Sequence, residues 1–345
     1  MSNRSHSKKV LVFASSYLDK PIVPMDDNSL DLLKSLNGFD TDFRCNRDYR
    51  IPLKASEFEN VVVVIADAEI YNQRILNQIG VGGRGSLRLI SRYGVGVDYI
   101  DLEAATKNGV MVTNCPGCNS LPSAEWTLST MLDIAGKRIY NHNLASEGKT
   151  KNDSSRQDIT GKTIGIIGTG NVAKKLVDIM SGFDVKFIAY TPHPNTEWSR
   201  KNGIEYFDNP DEVYRESDIL TLHATPQDKT TLINEREISL MKPTAFIVNC
   251  ARPHLVDSEA VYMAVKERRL FGYGADSVWT REDLRLDGLN IITSPHVGAD
   301  SDLGKYGMRS MSTRAVIDLL SGKIPEHVVN WEVLKHEKWK EKMYS

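Results

Sequence analysis

The 345 residues include only four cysteines, Cys45, Cys115, Cys118 and Cys250. That is too few for the disulfide framework of a small secreted scaffold. No apolar run approaches the length that spans a bilayer. Charge is nearly balanced, with 43 basic and 45 acidic residues and a formal net charge of −2, so no basic excess points to nucleic acid. Residues 1–9 are polar and basic and lack the apolar stretch of a secretory signal. No internal repeat or low-complexity segment stands out. These absences lead to the expectation of a cytoplasmic globular protein. Its length and its apolar content of 41% suit two domains with sizeable cores.

What is present is organised around residues 161–194, GKTIGIIGTGNVAKKLVDIMSGFDVKFIAYTPHP. Thr163–Ile167 is short and isoleucine-rich and reads as a buried strand. Gly168, Gly170 and Ala173 follow as G-x-G-x-x-A. Val172, Leu176, Val177, Ile179 and Met180 then recur at helical spacing, and 185–190 reads as a second strand. The order strand, glycine turn, helix, strand makes a weak glycine pattern a dinucleotide fingerprint. Gly168 permits the tight turn, Gly170 lets backbone approach a pyrophosphate, and Ala173 lets the helix pack on the strand. The helix N-terminus offers N–H groups to phosphate. One feature departs from the fingerprint. The acid that ends the second strand and binds the ribose hydroxyls is replaced by Thr191, which leaves NAD and NADP both open.

Elsewhere strands and helices alternate, as in a parallel α/β sheet. Strands are predicted at 9–14, 39–45, Val61–Ala66, 87–91 and 110–113, and helices at 29–36, 70–79 and 102–108. The glycine-rich 81–86 lacks the Lys-Ser/Thr ending of a phosphate loop. One long helix within 119–143 separates this first α/β unit from the dinucleotide unit, and 149–158 reads as a polar loop. Later strands are predicted at 219–223, 245–250, 272–278 and 290–294. Helices are predicted within 231–241, at Ser258–Lys266 and at 309–320. Trp331 and Trp339 in the tail are read as packing residues.

Ligands of such sheets bind beyond the carboxyl ends of the strands. There the sequence delivers Arg252, His296 and the turn 92–98, with Glu282 on a loop before the last strand. A 2-oxo acid needs a fixed cation for its carboxylate and an acid for its ketone oxygen. Arginine suits the first role through its bidentate fork, and histidine the second through a pKa near neutrality. His223 ends another strand and reads as structural, as does Cys115-x-x-Cys118, which lacks a second ligand pair for a metal. No metal site is expected.

At these residues the chain resembles the D-isomer-specific 2-hydroxyacid dehydrogenase family, which includes D-lactate, glycerate, phosphoglycerate and formate dehydrogenases. The matching segments, in family order, are RYGVGVDYID (92–101), NCPGCNSLPSAEWT (114–127), GIIGTGNVA (165–173) and LHATPQDKTTLIN (222–234). They continue with LMKPTAFIVNCAR (240–252), LVDSEAV (255–261) and ITSPHVGA (292–299). The resemblance implies two Rossmann-like or flavodoxin-like parallel-sheet domains with a cleft between them. It implies a discontinuous substrate domain, 1–119 with 305–345, around a dinucleotide domain, 120–304. It implies Arg252 as the substrate-binding arginine, His296 as the acid/base and Glu282 as its carboxylate partner. Val95 and Gly96 become backbone donors to the substrate carboxylate, beside Tyr93. The candidate cofactor contacts are Gly168, Gly170, Asn171, Val172, Thr191, His223, Ala224, Thr225, Cys250, Ala251, Arg252, Asp276, His296 and Gly298. The family also implies a homodimer through the helix after Asn119.

Several positions depart from the family pattern. Pro253-His254 follow the arginine where glycine is usual, Trp126 stands where histidine is common, and Glu282 aligns only with a one-residue shift. The resulting expectation is an NAD(P)-dependent oxidoreductase interconverting a 2-hydroxy acid and a 2-oxo acid, without nucleic-acid or membrane partners. A cofactor-sensing, corepressor-like protein with little turnover is the alternative. A methyltransferase also uses G-x-G-x-x-A but does not account for the arginine and histidine.

Overall fold

Apolar runs buried on both faces form the central strands of this chain's sheets. Every residue of Val61–Ala66 is buried, as parallel strands covered by helices on two sides require. The computed structural model describes residues 7–19, 26–45, 47–149, 156–225, 230–279, 281 and 283–339. Contacts divide the chain into two units, Met1–Asn119 with Asp302–Ser345, and Ser120–Ser301.

The first unit holds β1 (Lys8–Val12), α1 (Ser29–Lys34), β2 (Phe39–Phe43), β3 (Val61–Ala66), α2 (Gln73–Ile79), β4 (Leu89–Arg92), α3 (Leu102–Lys107) and β5 (Met111–Thr113). The five strands form a sheet in the order β2-β1-β3-β4-β5, with every pairing parallel. The two-residue period sends Val10 and Val12 of β1 into one core and Leu11 into the other.

The second unit begins with α4 (Ser120–Ala135) and α5 (Arg138–Ser146). The sequence predicts one helix here. The chain breaks it at Gly136-Lys137, where Lys137 takes φ +45, a left-handed conformation that ends a helix. Then follow β6 (Thr163–Ile167), α6 (Asn171–Ile179), β7 (Lys186–Tyr190), α7 (Thr196–Asn202), β8 (Glu205–Tyr206), α8 (Pro210–Glu216) and β9 (Ile219–Leu222). The unit closes with α9 (Glu235–Leu240), β10 (Phe246–Asn249), α10 (Ser258–Lys266), β11 (Gly272–Ala275) and β12 (Ile291–Thr293). Its seven strands run β12-β11-β10-β9-β6-β7-β8, all parallel. Strand order reverses between β6 and β9. That switch point is where a doubly wound sheet leaves a crevice for ligand. Ile164 and Ile166 of β6 face the core under α4 and α6, while Ile167 joins the opposite core with α8, α9 and α10 residues.

The chain then returns to the first unit as α11 (Asp302–Leu320), seven residues longer at its start than the apolar pattern predicts. Three of its polar residues, Arg309, Ser312 and Thr313, are buried against polar partners. Tyr17 Oη meets Ser312 Oγ at 2.7 Å and Thr313 Oγ1 at 2.9 Å, Ser91 Oγ donates to the Ser312 carbonyl, and buried Arg309 pairs with Asp27 at 2.7 Å. In the tail Trp339 enters the core and its Nε1 donates to the Gly109 carbonyl, while Trp331 stays 52% exposed.

Candidate active site

β6 ends at Gly168, whose φ of +89 lies in the region that favours glycine. A Cβ there would meet the Ala224 backbone at 2.8 Å, so conformation and space both require glycine. Gly168 N–H donates to the Tyr190 carbonyl at 2.9 Å, which joins this turn to the end of β7. Gly170 is the N-cap of α6 and has φ −75. Any residue adopts that backbone, and a Cβ at Gly170 would face open space. The fold therefore does not itself require glycine at 170. The missing side chain leaves a cradle in front of the uncapped α6 N-terminus, as an approaching pyrophosphate needs. Asn171 and Val172 supply the first backbone N–H groups of that helix. Thr191 follows Tyr190 at the end of β7, and 190–193 reads Tyr-Thr-Pro-His, without a carboxylate. Tyr206 of β8 donates its hydroxyl to Thr169 Oγ1 at 3.0 Å, which ties the glycine turn to the sheet edge.

His223, Ala224 and Thr225 leave the end of β9. Part of His223 is reached by water, but both ring nitrogens face protein. Nε2 lies 3.0 Å from Thr221 Oγ1 and Nδ1 lies 3.3 Å from Cys250 Sγ. Desolvation of the ring pushes its pKa down to about 4. A neutral ring satisfies the set: Cys250 S–H donates to Nδ1, and Nε2–H donates to Thr221. Burial likewise pushes the Cys250 thiol up to about 11, which keeps it protonated and unreactive.

β10 ends in Asn249, only 2% exposed. Its Oδ1 accepts from Ala251 N–H at 3.0 Å and its Nδ2 donates to the Arg252 carbonyl at 2.8 Å. One side chain thus ties down the turn that presents Arg252. Sequence reasoning passed over Asn249. The signal was an asparagine at a strand end, where its amide mimics backbone in a turn. Arg252 itself is extended, with φ −141 and ψ 139, and its Nη1 donates to the Ala251 carbonyl at 3.0 Å.

β11 ends in Asp276, and β12 leads through Ser294 and Pro295 to His296. Asp276 Oδ1 accepts from Ser294 Oγ at 2.7 Å and Val297 N–H at 2.8 Å, and Oδ2 accepts from Gly298 N–H at 2.7 Å. Between those anchors His296 is exposed and takes φ +61, a conformation uncommon outside glycine and asparagine. A Cβ at Gly298 would meet Asp276 Oδ2 at 2.7 Å and Trp126 Cγ at 3.2 Å, so glycine is what lets the loop close on the aspartate. The sheet order sets β10 and β12 on either side of β11. Arg252 and His296 therefore leave strands roughly 10 Å apart at the backbone. Glu282 lies outside the described residues.

In the first unit the loop after β4 is held by its carbonyls. Arg92 donates from Nε to Gly96 O at 2.9 Å and from Nη1 to Tyr93 O. Asn114 Nδ2 donates to Val95 O at 2.7 Å and Cys115 N–H to Gly94 O at 2.9 Å. All four carbonyls of 93–96 are engaged. Arg92 and Asn114, absent from the sequence-derived site, do this bracing. Tyr93 is buried, with its hydroxyl against Ser16 Oγ and 3.3 Å from the Lys305 carbonyl, so its hydroxyl belongs to an internal network.

A doubly wound parallel sheet, with a glycine turn and an uncapped helix at its switch point, defines the second unit as a Rossmann-type dinucleotide-binding fold. Comparison with known proteins agrees. Residues 128–298 match the family described as D-isomer specific 2-hydroxyacid dehydrogenase, NAD binding domain. The chain is 30% identical over 302 residues to a glyoxylate reductase of Thermococcus litoralis, covering 84% of this chain and 90% of that protein. It is 35% identical over 262 residues to a D-3-phosphoglycerate dehydrogenase of Methanocaldococcus jannaschii, covering 73% of this chain but spanning only about half, 49%, of that protein. A solved structure from Thermus thermophilus superposes with a TM-score of 0.77 at 26% identity, covering 93% of this chain and 99% of that one. The chain belongs to the D-isomer-specific 2-hydroxyacid dehydrogenase family.

Proposed function

We propose that this protein is an NAD(P)-dependent 2-hydroxyacid dehydrogenase acting on a small 2-oxo or 2-hydroxy acid. The observation that carries the reading is the pair of strand-end groups, Arg252 on its Asn249-braced turn and His296 on its Asp276-braced loop, in the unit that bears the Gly168–Gly170 cradle. When bound, the nicotinamide supplies the hydride in reduction and accepts it in oxidation. The α6 N-terminus and the amides of Asn171 and Val172 hold the pyrophosphate. Arg252 pairs with the substrate carboxylate, and the Val95 and Gly96 amides donate to it. His296 gives a proton to the carbonyl oxygen in reduction and takes the hydroxyl proton in oxidation. Glu282 as partner of His296 is carried over from the family resemblance.

Thr191 supports use of either cofactor, because no carboxylate at the end of β7 repels a 2′-phosphate. The names of the relatives make glyoxylate and the 3-phosphoglycerate oxidation product the first substrates to try. A homodimer through the helix after Asn119 is carried over from the same family resemblance. Among the described residues no helix is long and apolar enough to cross a membrane.

Replacing His296 by alanine tests the chemistry. Turnover at saturating substrate should fall on the order of 10²–10⁴-fold, with cofactor binding retained. Unchanged turnover in His296→Ala refutes the assignment.

A further inference from the structure

Cys115 and Cys118 lie between β5 and α4, in Asn-Cys-Pro-Gly-Cys-Asn, and take no part in the chemistry above. Both are free thiols. Cys118 N–H reaches the Cys115 carbonyl at 3.5 Å, which closes a four-residue turn. Pro116 occupies its second position and Gly117, with φ +81, its third. That is the type II pattern, in which the first and fourth Cα atoms lie within about 7 Å. A disulfide spans Cα separations of about 4.4–6.8 Å. The Cys115 S–H faces the Arg92 carbonyl at 3.3 Å and the Met308 carbonyl at 3.7 Å, and the turn brings the Cys118 backbone within disulfide reach of it.

The pair differs from the other thiols of the chain. Cys45 and Cys250 are each pushed up to about 11 by burial, with no second thiol beside them. In the pair, the Cys115 thiol is pushed down, chiefly by Cys118 beside it, and the Cys118 thiol is pushed up by Cys115 and by burial. Cys115 is buried, while Cys118 is partly exposed. Among the described residues no group of three or more His, Cys, Asp or Glu gathers that would hold a metal ion.

Two contacts give the pair leverage. Cys115 N–H holds the Gly94 carbonyl and its neighbour Asn114 holds the Val95 carbonyl. On the other side α11 comes so near that a Cβ on Gly307 would lie 2.9 Å from Cys118 Cβ. The turn therefore joins the 94–96 loop to α11 within the first unit.

We propose that Cys115 and Cys118 form a reversible dithiol–disulfide pair whose state sets the mobility of the 94–96 loop. With hydrogen peroxide as oxidant, one thiol of the pair is oxidised to the sulfenic acid and one water leaves. The other thiol then condenses with it, the S–S bond forms, and a second water leaves. A small dithiol reverses the step and is itself oxidised to its disulfide. The consequence for substrate affinity rests on the function proposed above, whereas the bond and the loop's response do not.

The experiment treats the whole purified chain with hydrogen peroxide, alkylates the remaining thiols, and reads peptide masses and amide hydrogen exchange. The expected result is loss of two hydrogens in the peptide carrying both cysteines, reversed by dithiothreitol. Exchange across 93–97 should slow by about tenfold on oxidation, and Cys118→Ser and Cys118→Ala should show neither change. Full alkylation of Cys115 and Cys118 after peroxide, or oxidation of Cys118 alone to the sulfinic acid, overturns the pairing. A disulfide that leaves exchange across 93–97 unchanged overturns the loop role. A disulfide that slows exchange in a protein that reduces no 2-oxo acid sustains this proposal and counts against the function instead.

Discussion

Asp276 satisfies three donors with two oxygens, and all three lie within two residues of His296. Asn at 276 keeps the shape but turns an amide N–H₂ toward a backbone N–H, leaving a donor facing a donor. Asp276→Asn should therefore lower kcat by about 10²-fold, since small misplacement of a catalytic group costs that much. The fold should persist, and an altered pH profile of kcat would separate displaced acid/base chemistry from general loss of structure. His223 makes a different prediction. Its pKa is held near 4 rather than the usual 6.5. Between those values the unfolded chain takes up a proton that the folded chain refuses. Stability therefore falls as pH drops from 6.5 to 4, by up to about 3 kcal/mol from this group, and above 6.5 the group costs nothing. Urea unfolding of His223→Gln should show a shallower loss across that window. Arg252 and His296 were legible in the sequence because strand ends and residue chemistry mark them. Asn249, Arg92 and Asn114 were not, because their work is done through backbone groups brought near only by the fold.

At the level of elements, Gly168 and Gly170 separate folding from binding. Gly168→Ala meets positive φ and the Ala224 backbone together, so it should destabilise the protein by more than about 1 kcal/mol, read by thermal or urea unfolding. Gly170→Ala meets neither, and its melting temperature should stay within about 2 °C of the parent. Its NADH affinity should nevertheless fall about tenfold or more, as fluorescence titration would show. Equal affinity in Gly170→Ala and the parent contradicts the cradle. The sequence predicted Thr163–Ile167 and Ser258–Lys266 with the bounds that the structure has, since strong apolar patterns meet clear turn or cap residues there. It passed over α7, β8 and α8, which are short and largely polar. Their signals were local: Asn195 capping Trp198 N–H, Gly203 at φ +65, and Asn209-Pro210 opening α8. The break between α4 and α5 was hidden because Lys137, not a glycine, takes the left-handed turn.

Across the whole molecule, alternation of strand and helix gave away the α/β class, but the return of α11 to the first sheet entered only through the family resemblance. Periodicity cannot show which sheet a helix covers when half its face is polar. The buried Arg309–Asp27 pair and the Tyr17 hydroxyl network that fix α11 join residues about 280 or more positions apart. The central claim is that the second unit binds a reduced nicotinamide cofactor and the protein spends it on a 2-oxo acid. The most direct test is titration with NADH and with NADPH, followed by nicotinamide fluorescence, and then addition of a panel of 2-oxo acids that includes glyoxylate. The account predicts saturable binding and loss of reduced cofactor with at least one acid. Failure of both cofactors to bind contradicts the cradle at Gly168–Gly170, and binding without oxidation by any acid contradicts the dehydrogenase in favour of a cofactor sensor.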